Sequence, residues 1–277
     1  MKRAERTALL SQMLSTSPNR LFTLDEICDK FNISKTTASE DISIVRSAFN
    51  QCKKGTITTK RGPGGGFIYT PLASNKHTRQ YLLDLCNTLK DPFRVLGGGF
   101  IFTSDIMFNP SIVYELAGIF VAQYKDLNPD YIVTIETKGI PLALMTAHLL
   151  NIPAVVVRRE HKISEGPTIS INYFSSAAGK MKKMSISKYS IKPGSKAIII
   201  DDFMRAGGSI KGVYELLQEL NVEILTVGVA IASKTPTQKK IATYLPLIYL
   251  DTIDEQTKEI TIYPNEELFK EQFRNKE

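Results

Sequence analysis

The feature that most constrains the fold is the alternation of apolar, strand-like runs with helix-like segments after about residue 110. Because each crossover helix covers one face of a sheet, this pattern predicts a parallel sheet that is buried on both faces. Ligands of such sheets bind where the carboxyl ends of the strands and their loops gather. The predicted strands are 131–135, 154–157, 196–200, 224–230 and 247–250, and the predicted helices are 112–124, one that begins near Pro141, and 209–220.

The loop after strand 196–200 carries the most informative chemistry. Asp201-Asp202 ends the strand, and Gly207-Gly208-Ser209 begins the next helix. Glycines let the backbone curl around a phosphate, and a helix N-terminus supplies unpaired amides and a favourable dipole. The two carboxylates would repel a phosphate, but they fit the vicinal hydroxyls of a ribose as hydrogen-bond acceptors. The segment predicts a ribose 5-phosphate site; the structural alternative is an acidic strand end with a glycine N-cap.

The first seventy residues have a different, helical pattern. Apolar spacing predicts a first helix over about 4–15, and Thr23-Leu-Asp-Glu26 has the form of a capping box for a second. Ser34 is a good N-cap for a third helix, whose buried stripe is Ala38, Ile42 and Val45. Two short helices joined by a tight turn predict a helix-turn-helix, with a plain helical hairpin as the alternative.

The segment 55–69 strengthens the helix-turn-helix interpretation, because it predicts a β-hairpin with a basic, glycine-rich tip directly after the third helix. Such a hairpin is a wing, and its tip suits contacts to phosphates or the minor groove. Glu40 and Asp41 should face away from DNA or accept a cytosine amino proton. The predicted DNA-binding residues are Ser34, Lys35, Thr36, Thr37, Ser39, Arg46, Lys60 and Arg61.

The charge distribution agrees with a polyanion partner for this part of the chain. Residues 1–75 hold 11 Lys or Arg against 6 Asp or Glu, a net charge of +5 out of +7 for the whole chain. Cys28, Cys52 and Cys86 form no C-x-x-C pair, so we expect buried free thiols rather than a metal site or disulfides. No N-terminal apolar region and no run of about 18 apolar residues is present, which predicts a soluble, cytoplasmic protein.

The loop also supports a specific resemblance. Four apolar residues, Asp-Asp, two apolar residues and a small-residue turn closing in Gly-Gly-Ser resemble the phosphoribosyl pyrophosphate motif of type I phosphoribosyltransferases. With the predicted winged helix, the chain resembles the purine operon repressor family of Gram-positive bacteria over nearly its full length. The segments 97–105, 137–143 and 164–173 match that family's pattern. The segment 71–77 predicts a domain boundary near residue 74. The resemblance implies an α/β fold, with a winged-helix DNA-binding domain over 1–74 and a phosphoribosyltransferase-like effector domain over 75–277, whose sheet is mostly parallel and flanked by helices.

The resemblance also implies roles for particular residues. Asp201 and Asp202 would hold the ribose 2- and 3-hydroxyls, amides of Arg205 to Ser209 the 5-phosphate, and Thr137-Lys138-Gly139 the pyrophosphate. A flexible hood over about 160–190 would close on the ligand. Mg²⁺ fits as a bridge between the ligand's phosphates with few protein ligands. The predicted effector site comprises Thr137, Lys138, Gly139, Arg158, Lys162, Tyr173, Asp201, Asp202, Phe203, Met204, Arg205, Ala206, Gly207, Gly208 and Ser209.

Some of these assignments have a structural alternative. Arg158, Arg159 and Lys162, at the base of the hood, are equally well explained as solvated surface charges. Tyr173 is either a ligand contact or a core residue of a hairpin.

Two functions, that of a regulator and that of an enzyme, are compatible with the predicted ligand site. Adenine-type enzymes commonly have a small residue and then Thr before Gly-Gly, whereas this chain has Arg205 and Ala206, which removes a hydroxyl and adds a large cation. A salvage enzyme also needs no winged helix. We therefore expect a repressor-type regulator without catalytic residues, a catalytic cofactor or its own metal site; the alternative is an active purine phosphoribosyltransferase with an added DNA-binding domain.

The expected partners follow from the regulator hypothesis. A homodimer would read two half-sites of double-stranded operator DNA near purine biosynthesis and transport genes. Phosphoribosyl pyrophosphate would be the effector, with a competing phosphorylated nucleotide, including a guanosine alarmone, as a further ligand of the same pocket. The sequence leaves open whether the ligand releases DNA or supports activation, because either sign requires only different affinities for the two states.

Overall fold

The computed structural model describes residues 1–53, 55–71, 75–159, 166–175 and 179–270. The chain forms two compact units. The first unit contains Met1–Ser74 together with His148–Asn151, and the second contains Asn75–Ala147 together with Ile152–Glu277.

The first unit packs three helices and a small antiparallel sheet around one core. Its sheet has the order β1-β3-β2, with the long hairpin formed by β2 and β3. The elements are α1 (Arg3–Thr16), β1 (Leu21–Thr23), α2 (Leu24–Phe31), α3 (Lys35–Gln51), β2 (Gly55–Lys60) and β3 (Gly66–Pro71). The buried side chains are Leu10, Leu14, Phe22, Ile27, Phe31, Ala38, Ile42, Val45, Ile57, Phe67 and Tyr69.

Helix capping explains where α2 and α3 begin. The Thr23 hydroxyl accepts a hydrogen bond from the Glu26 amide at 3.1 Å, and the Ser34 hydroxyl accepts one from the Thr37 amide at 3.2 Å. Both predicted caps are therefore present. A capping box also predicts that the Glu26 carboxylate bonds back to the Thr23 amide. That part of the prediction is wrong, because the Glu26 carboxylate accepts from the guanidinium of Arg20 at 2.6 Å.

A buried ion pair joins α1 to α3. The Arg6 guanidinium donates to both carboxylate oxygens of Asp41, with Nε to Oδ2 at 2.6 Å and Nη2 to Oδ1 at 3.3 Å. Asp41 is 1% exposed and Arg6 is 9% exposed. A buried carboxylate needs such a partner, because an unpaired charge away from water is strongly unfavourable.

The second unit is built on a six-stranded sheet of order β13-β12-β11-β10-β6-β7. Five of these strands are parallel to their neighbours, and β13 runs antiparallel to β12 at the edge. The predicted parallel sheet is therefore confirmed. The strands are β6 (Tyr131–Ile135), β7 (Ala154–Val157), β10 (Lys196–Met204), β11 (Glu223–Ser233), β12 (Leu245–Ile253) and β13 (Ile260–Pro264).

Helices and two hairpins accompany this sheet. The hairpin of β8 and β9 packs on α8 and on the core beneath it. The helices are α4 (Asn75–Leu89), α5 (Ser104–Met107), α6 (Pro110–Tyr124), α7 (Gly139–Leu150) and α8 (Gly208–Glu219); the hairpins are β4 (Val95–Gly97) with β5 (Phe100–Ile101) and β8 (Thr168–Ser175) with β9 (Lys180–Ser187).

Two sequence-based expectations need correction, one about β10 and one about the cysteines. Strand β10 continues to Met204, so Asp201 and Asp202 lie within the strand rather than after it. The pairing of β10 with β11 extends through Met204, which accounts for the longer strand. The cysteines are free as expected, but only Cys86 is buried, while Cys28 is half-buried and Cys52 is exposed. In the part of the chain that the structure describes, no helix combines the length and apolar character needed to cross a membrane.

Candidate functional site

A cleft of about 280 Å³ opens at the carboxyl ends of β6 and β10 in the second unit. It brings together two segments that lie more than sixty residues apart in sequence, the 137–138 loop and the 201–209 segment. The lining residues are Phe100, Ile101, Thr103, Ile135, Glu136, Thr137, Lys138, Arg159, Tyr173, Lys182, Asp201, Asp202, Phe203, Met204, Arg205, Ala206, Gly207, Gly208, Ser209 and Ile210.

Two carboxylates stand side by side in this cleft. Asp201 is 8% exposed, and its Oδ1 accepts a hydrogen bond from the Asp202 amide at 3.0 Å. Burial, followed by the negative charge of Asp202, raises the pKa of Asp201 well above its ordinary value. Burial also raises the pKa of Asp202, although the nearby Lys138 opposes that shift. The pair is therefore suited to a ligand that donates hydrogen bonds to it or brings positive charge.

The turn after the acid pair leads directly into α8. Gly207 is the N-cap residue with φ +78°, a left-handed conformation that favours glycine. A side chain there would also approach Met204 and Ile241 at 3.4 Å and 3.3 Å. The first amides of α8 have no carbonyl partner within the helix, so this turn offers donors to an anion.

The 137–139 loop follows β6 and begins α7. Thr137 and Lys138 line the cleft. Gly139 lies against the acid pair, because a Cβ placed on it would be 2.6 Å from the Thr134 hydroxyl and 2.8 Å from Oδ1 of Asp201. No side chain fits in that space. The loop and the acids therefore meet through a single glycine.

Arg205, whose identity departs from the pattern of adenine-type enzymes, makes its contacts within the protein. Its Nη1 donates to the Gly98 carbonyl at 2.9 Å, and its guanidinium lies 5.6 Å from the centre of the Phe100 ring. Gly98 belongs to the turn between β4 and β5, where Gly97, Gly98 and Gly99 all have positive φ. Arg205 thus holds this hairpin beside the cleft, which places Phe100 and Ile101 in the lining.

The remaining predicted effector residues occupy different positions. The Arg158 guanidinium donates to Glu136 at 3.4 Å and is not among the lining residues, whereas Arg159 is. Tyr173 is 4% exposed; it packs in the core with Met184 and also lines the cleft, so both of its predicted roles are compatible with its position. Lys162 and the segment 160–165 lie outside the described residues.

Several lining residues were not predicted from the sequence. Phe100, Ile101 and Thr103 are brought in by the first hairpin, and Lys182 by β9. The signal for the first group was the Gly97-Gly98-Gly99 run, which marks a sharp turn but does not show where the turn docks. Lys182 had no comparable signal, because alternate residues of a basic strand look alike in sequence.

The first unit presents a polar surface at the beginning of α3. Ser34, Lys35, Thr36 and Ser39 are exposed and Thr37 is half-buried. Ser34 and Thr37 also bond to each other through their hydroxyls at 3.0 Å, and Lys35 pairs with Asp25 at 2.7 Å. The two acids that follow this surface form ion pairs within the unit: Glu40 with Arg3 at 2.5 Å, and Asp41 with Arg6. These ion pairs are compatible with the alternative in which the acids do not contact DNA.

The hairpin of β2 and β3 is fastened to α3 by Arg46. Its Nε donates to the Ile57 carbonyl at 2.9 Å and its Nη2 to the Thr59 hydroxyl at 2.8 Å. Arg46 therefore positions the hairpin, a role that the sequence did not suggest. Lys60 and Arg61 at the hairpin tip are exposed, as a contact to a polyanion requires.

Comparisons with known proteins assign the two parts of the chain to two different domain families. Residues 2–71 match the family model "Bacterial purine repressor, N-terminal", and residues 104–262 match the "Phosphoribosyl transferase domain". The second unit resembles the adenine phosphoribosyltransferase of Saccharomyces cerevisiae in fold, with a TM-score of 0.52 and 22% identity over 60% of this chain and 97% of that one. A xanthine phosphoribosyltransferase of Oenococcus oeni is 25% identical over 58% of this chain and 84% of that protein.

The similarity to full-length relatives is stronger. The purine biosynthesis transcriptional repressor PurR of Bacillus subtilis is 35% identical over 94% of this chain and 92% of its own length. The purine biosynthesis transcriptional activator PurR of Lactococcus lactis is 31% identical over 95% of this chain and 97% of its own length. The chain belongs to this PurR family of purine biosynthesis transcriptional regulators, as the loop motif and the N-terminal helices together predicted.

Proposed function

We propose that this regulator binds operator DNA of purine biosynthesis and transport genes through its first unit and senses phosphoribosyl pyrophosphate in the cleft of its second. The observation that carries the proposal is the convergence, in one cleft, of the Asp201–Asp202 pair, the amide turn before α8 and the Thr137–Lys138 loop. These three parts match the diol, the 5-phosphate and the diphosphate of one ligand in chemical character.

The charges of the cleft favour a ligand that carries both hydroxyl groups, for the acid pair, and phosphates, for the cations. Burial raises the pKa values of Asp201 and Asp202, and for Asp201 the charge of Asp202 adds to this rise. Ribose hydroxyls would donate hydrogen bonds that stabilise the ionised carboxylates. Lys138 and Arg159 supply positive charge for phosphates. A second phosphorylated nucleotide with a ribose would compete for the same groups.

Magnesium fits this site mainly through the ligand. Among the described residues, no group of three or more His, Cys, Asp or Glu side chains is placed to hold a metal ion. Three carboxylates line the cleft, and Glu136 is paired with Arg158, which leaves Asp201 and Asp202 for a cation. A hard cation that keeps its waters and the ligand's phosphates needs few protein oxygens. When bound, Mg²⁺ would neutralise charge on the diphosphate.

The proposed DNA surface is the exposed start of α3 together with the hairpin tip. Lys35, Thr36 and Ser39 suit base edges and phosphates in the major groove, and Lys60 and Arg61 suit the backbone or minor groove. Arg46 keeps the hairpin next to α3. The unit is accordingly proposed to act as a winged helix over residues 1–74, with the effector domain over 75–277.

We propose a homodimer that forms through the second unit. Large apolar side chains are unusually exposed within a short stretch of that unit, and Phe93 is 96% exposed. Exposed apolar surface of this kind marks an interaction site, and a twofold operator calls for a twofold protein. The residues concerned are Phe93, Leu96, Phe102, Phe108 and Tyr114.

Sensing without turnover is the second part of the proposal. Arg205 and Ala206 replace the small residue and hydroxyl that precede Gly-Gly in adenine-type enzymes, and Arg205 is committed to Gly98. The backbone amides remain, so binding is retained while one donor to the transition state is missing. The competing function, purine phosphoribosyl transfer, is favoured by the likeness to the xanthine enzymes.

A titration tests the sensing role. Phosphoribosyl pyrophosphate with Mg²⁺ is added to the complex of the full chain and a fluorescent operator duplex, and anisotropy is followed at constant ionic strength. We expect a saturable change in DNA affinity, with the direction identifying release or support of binding. An affinity that stays constant at saturating ligand contradicts the proposal.

A separate assay tests turnover. The protein is incubated with phosphoribosyl pyrophosphate, Mg²⁺ and adenine, guanine, hypoxanthine or xanthine, and nucleotide formation is measured by chromatography. We expect no product above the uncatalysed background. Turnover at an ordinary enzymatic rate of about 1 s⁻¹ or more would establish the competing function.

A further inference from the structure

The amide turn before α8 needs something to fix its orientation, because an irregular turn does not by itself hold its N–H groups towards an anion. Residues 205–208 lie between the end of β10 and the first helical bonds of α8. Two carbonyls of this turn, those of Arg205 and Ala206, accept hydrogen bonds from a segment that follows β11. That segment is distant in sequence and lies outside the phosphoribosyl pyrophosphate motif.

Lys239 and Lys240 supply those bonds in different ways. The Lys239 ammonium donates to the Arg205 carbonyl at 2.5 Å, and the Lys240 backbone amide donates to the Ala206 carbonyl at 2.9 Å. Neither lysine is among the residues that line the cleft. The turn is therefore held from a side other than the one that faces the ligand.

Peptide geometry converts these bonds into an orientation of the amides. In a trans peptide, the carbonyl of one residue and the N–H of the next point in opposite directions in one rigid plane. Fixing the Arg205 carbonyl therefore fixes the Ala206 N–H, and fixing the Ala206 carbonyl fixes the Gly207 N–H. Both carbonyls point towards the 239–240 segment, so both N–H groups point away from it, on the side where Ala206 and Gly207 line the cleft.

The holding segment is itself anchored to the sheet. The same Lys239 ammonium donates to the Ser233 carbonyl at the end of β11, also at 2.5 Å. The Ser233 hydroxyl bonds to the backbone of Thr235 in both directions, at 2.7 Å and 3.2 Å. The ammonium thus links the turn to the carboxyl end of a central strand.

The close approach of the two segments depends on the left-handed glycine of the turn. A Cβ on Gly207 would lie 3.3 Å from Ile241 and 3.7 Å from the Lys240 nitrogen. Lys239 is half-buried, and this burial, followed by the charge of Arg205, lowers its pKa.

We infer that Lys239 is a positioning residue for the effector site: its ammonium, bridging the Arg205 and Ser233 carbonyls, orients the Ala206 and Gly207 amides that bind the 5-phosphate. The inference rests on the proposed function, because it concerns the phosphate end of that ligand. It predicts that Lys239 matters to the ribose 5-phosphate part of the ligand and not to the diphosphate part, which the Thr137–Lys138 loop would hold.

The test uses two fragment ligands and the full-length protein. Affinities for ribose 5-phosphate and for pyrophosphate with Mg²⁺ are measured by calorimetry for the wild type, Lys239→Met and Lys239→Arg. We expect Lys239→Met to weaken ribose 5-phosphate binding by about tenfold or more, since charge-assisted bonds that fix donors are lost. Pyrophosphate affinity should stay within about twofold, and Lys239→Arg should restore part of the loss.

Lys211→Met is the matched control. Lys211 lies in the first turns of α8, its ammonium pairs with Glu215 at 3.6 Å, and it carries the same charge as Lys239. Its backbone amide donates to the Gly207 carbonyl at 2.9 Å, a bond that Lys211→Met keeps, whereas its ammonium does not bond to the Arg205 or Ala206 carbonyl. We expect its ribose 5-phosphate affinity to stay within about threefold of the wild type, which separates orientation from general loss of positive charge. In the ligand-free protein, Lys239→Met should also shift the amide NMR signals of Ala206 and Gly207.

Each outcome decides between the possibilities. Equal loss in Lys211→Met and Lys239→Met would reduce the effect to charge and overturn the inference. Proportional loss of both fragments in Lys239→Met, without recovery in Lys239→Arg, would show general loosening of the unit and also overturn it. If the wild type binds neither ribose 5-phosphate nor phosphoribosyl pyrophosphate, the proposed function fails first, and this is visible before any variant is made.

Discussion

The two units each bury aspartate carboxylates, and the surroundings of those carboxylates differ. Asp41 of the first unit receives two hydrogen bonds from Arg6 and is fully enclosed. Asp201 of the second unit is nearly as enclosed, but the hydrogen bond that it accepts comes from the backbone amide of Asp202, whose own side chain is a second carboxylate. A buried carboxylate that is paired with a cation of the same unit, such as Asp41, stabilises the fold. Two buried carboxylates next to each other, such as Asp201 and Asp202, indicate a ligand site.

The largest effect is expected at Asp201 and Asp202, which form no ion pair with the described residues. In the double variant Asp201→Asn with Asp202→Asn, phosphoribosyl pyrophosphate affinity should fall by about 100-fold or more, because two acceptors of charge-assisted bonds are lost. Calorimetry measures this, and operator binding without ligand should be unchanged. Retained ligand affinity would show that the pair serves only the fold.

The stability of the same double variant sharpens the comparison. The folded-state pKa of each acid is raised, so ionising the pair opposes folding as pH rises from the ordinary carboxyl pKa through the raised one. At neutral pH the amides should therefore leave the free energy of unfolding unchanged or increase it. A marked loss of stability in denaturant titrations would contradict the idea that the pair is strained without ligand.

A loss of stability is expected instead when Asp41, which is paired with Arg6, is replaced. Asp41→Ala leaves the buried Arg6 guanidinium without its acceptor, so the melting temperature of the first unit should fall by roughly 10 °C. Scanning calorimetry measures the change. Glu40→Gln is the neighbouring control, because its pair with Arg3 is more than half exposed, and it should shift the melting temperature by less than about 2 °C.

A smaller effect is expected at the hairpin tip, where charges face solvent. Lys60→Ala with Arg61→Ala should weaken operator binding by about tenfold and reduce the slope of log affinity against log salt by about 2. Removing the exposed Lys188 and Lys192 of the second unit in the same way is the control and should leave the slope unchanged. An unchanged slope in the tip variant would exclude phosphate contacts there.

The smallest effect concerns pH. Binding of a diol favours the ionised acids, so ligand affinity should rise with pH above the ordinary carboxyl range and level off once the pair is ionised. Pyrophosphate is the control, since its own phosphates titrate in the same way but it does not need the acids. Parallel pH profiles for both ligands would show that the acids do not titrate on binding.

The elements that were predicted correctly from the sequence are those with a local residue pattern. The strands 131–135 and 154–157 were predicted at their observed bounds, because continuous apolar runs bounded by polar turns have few other solutions. Helix α4 was missed: Leu82, Leu85, Cys86 and Leu89 are buried, but the polar residues between them resemble a linker.

The candidate site was predictable only where its residues are continuous in sequence. Asp201 to Ser209 form one continuous motif that the sequence displays. The placing of Phe100 beside the cleft depends on a bond from Arg205 to Gly98, and Arg46 reaches β2 in a similar way. Such contacts depend on tertiary geometry, which composition and spacing do not record.

Gly139, which lies against Asp201, has a consequence for the ligand sensing proposed above. Gly139 leaves no room for a methyl group between the 137–139 loop and Asp201, so a shift of either one displaces the other. A ligand that engages both loops gains from one ordering of the site, whereas a fragment must order it alone. Under the proposed sensing role, the cleft would distinguish intact phosphoribosyl pyrophosphate from its fragments, and this discrimination would depend on the position between the 137–139 loop and Asp201 that glycine occupies.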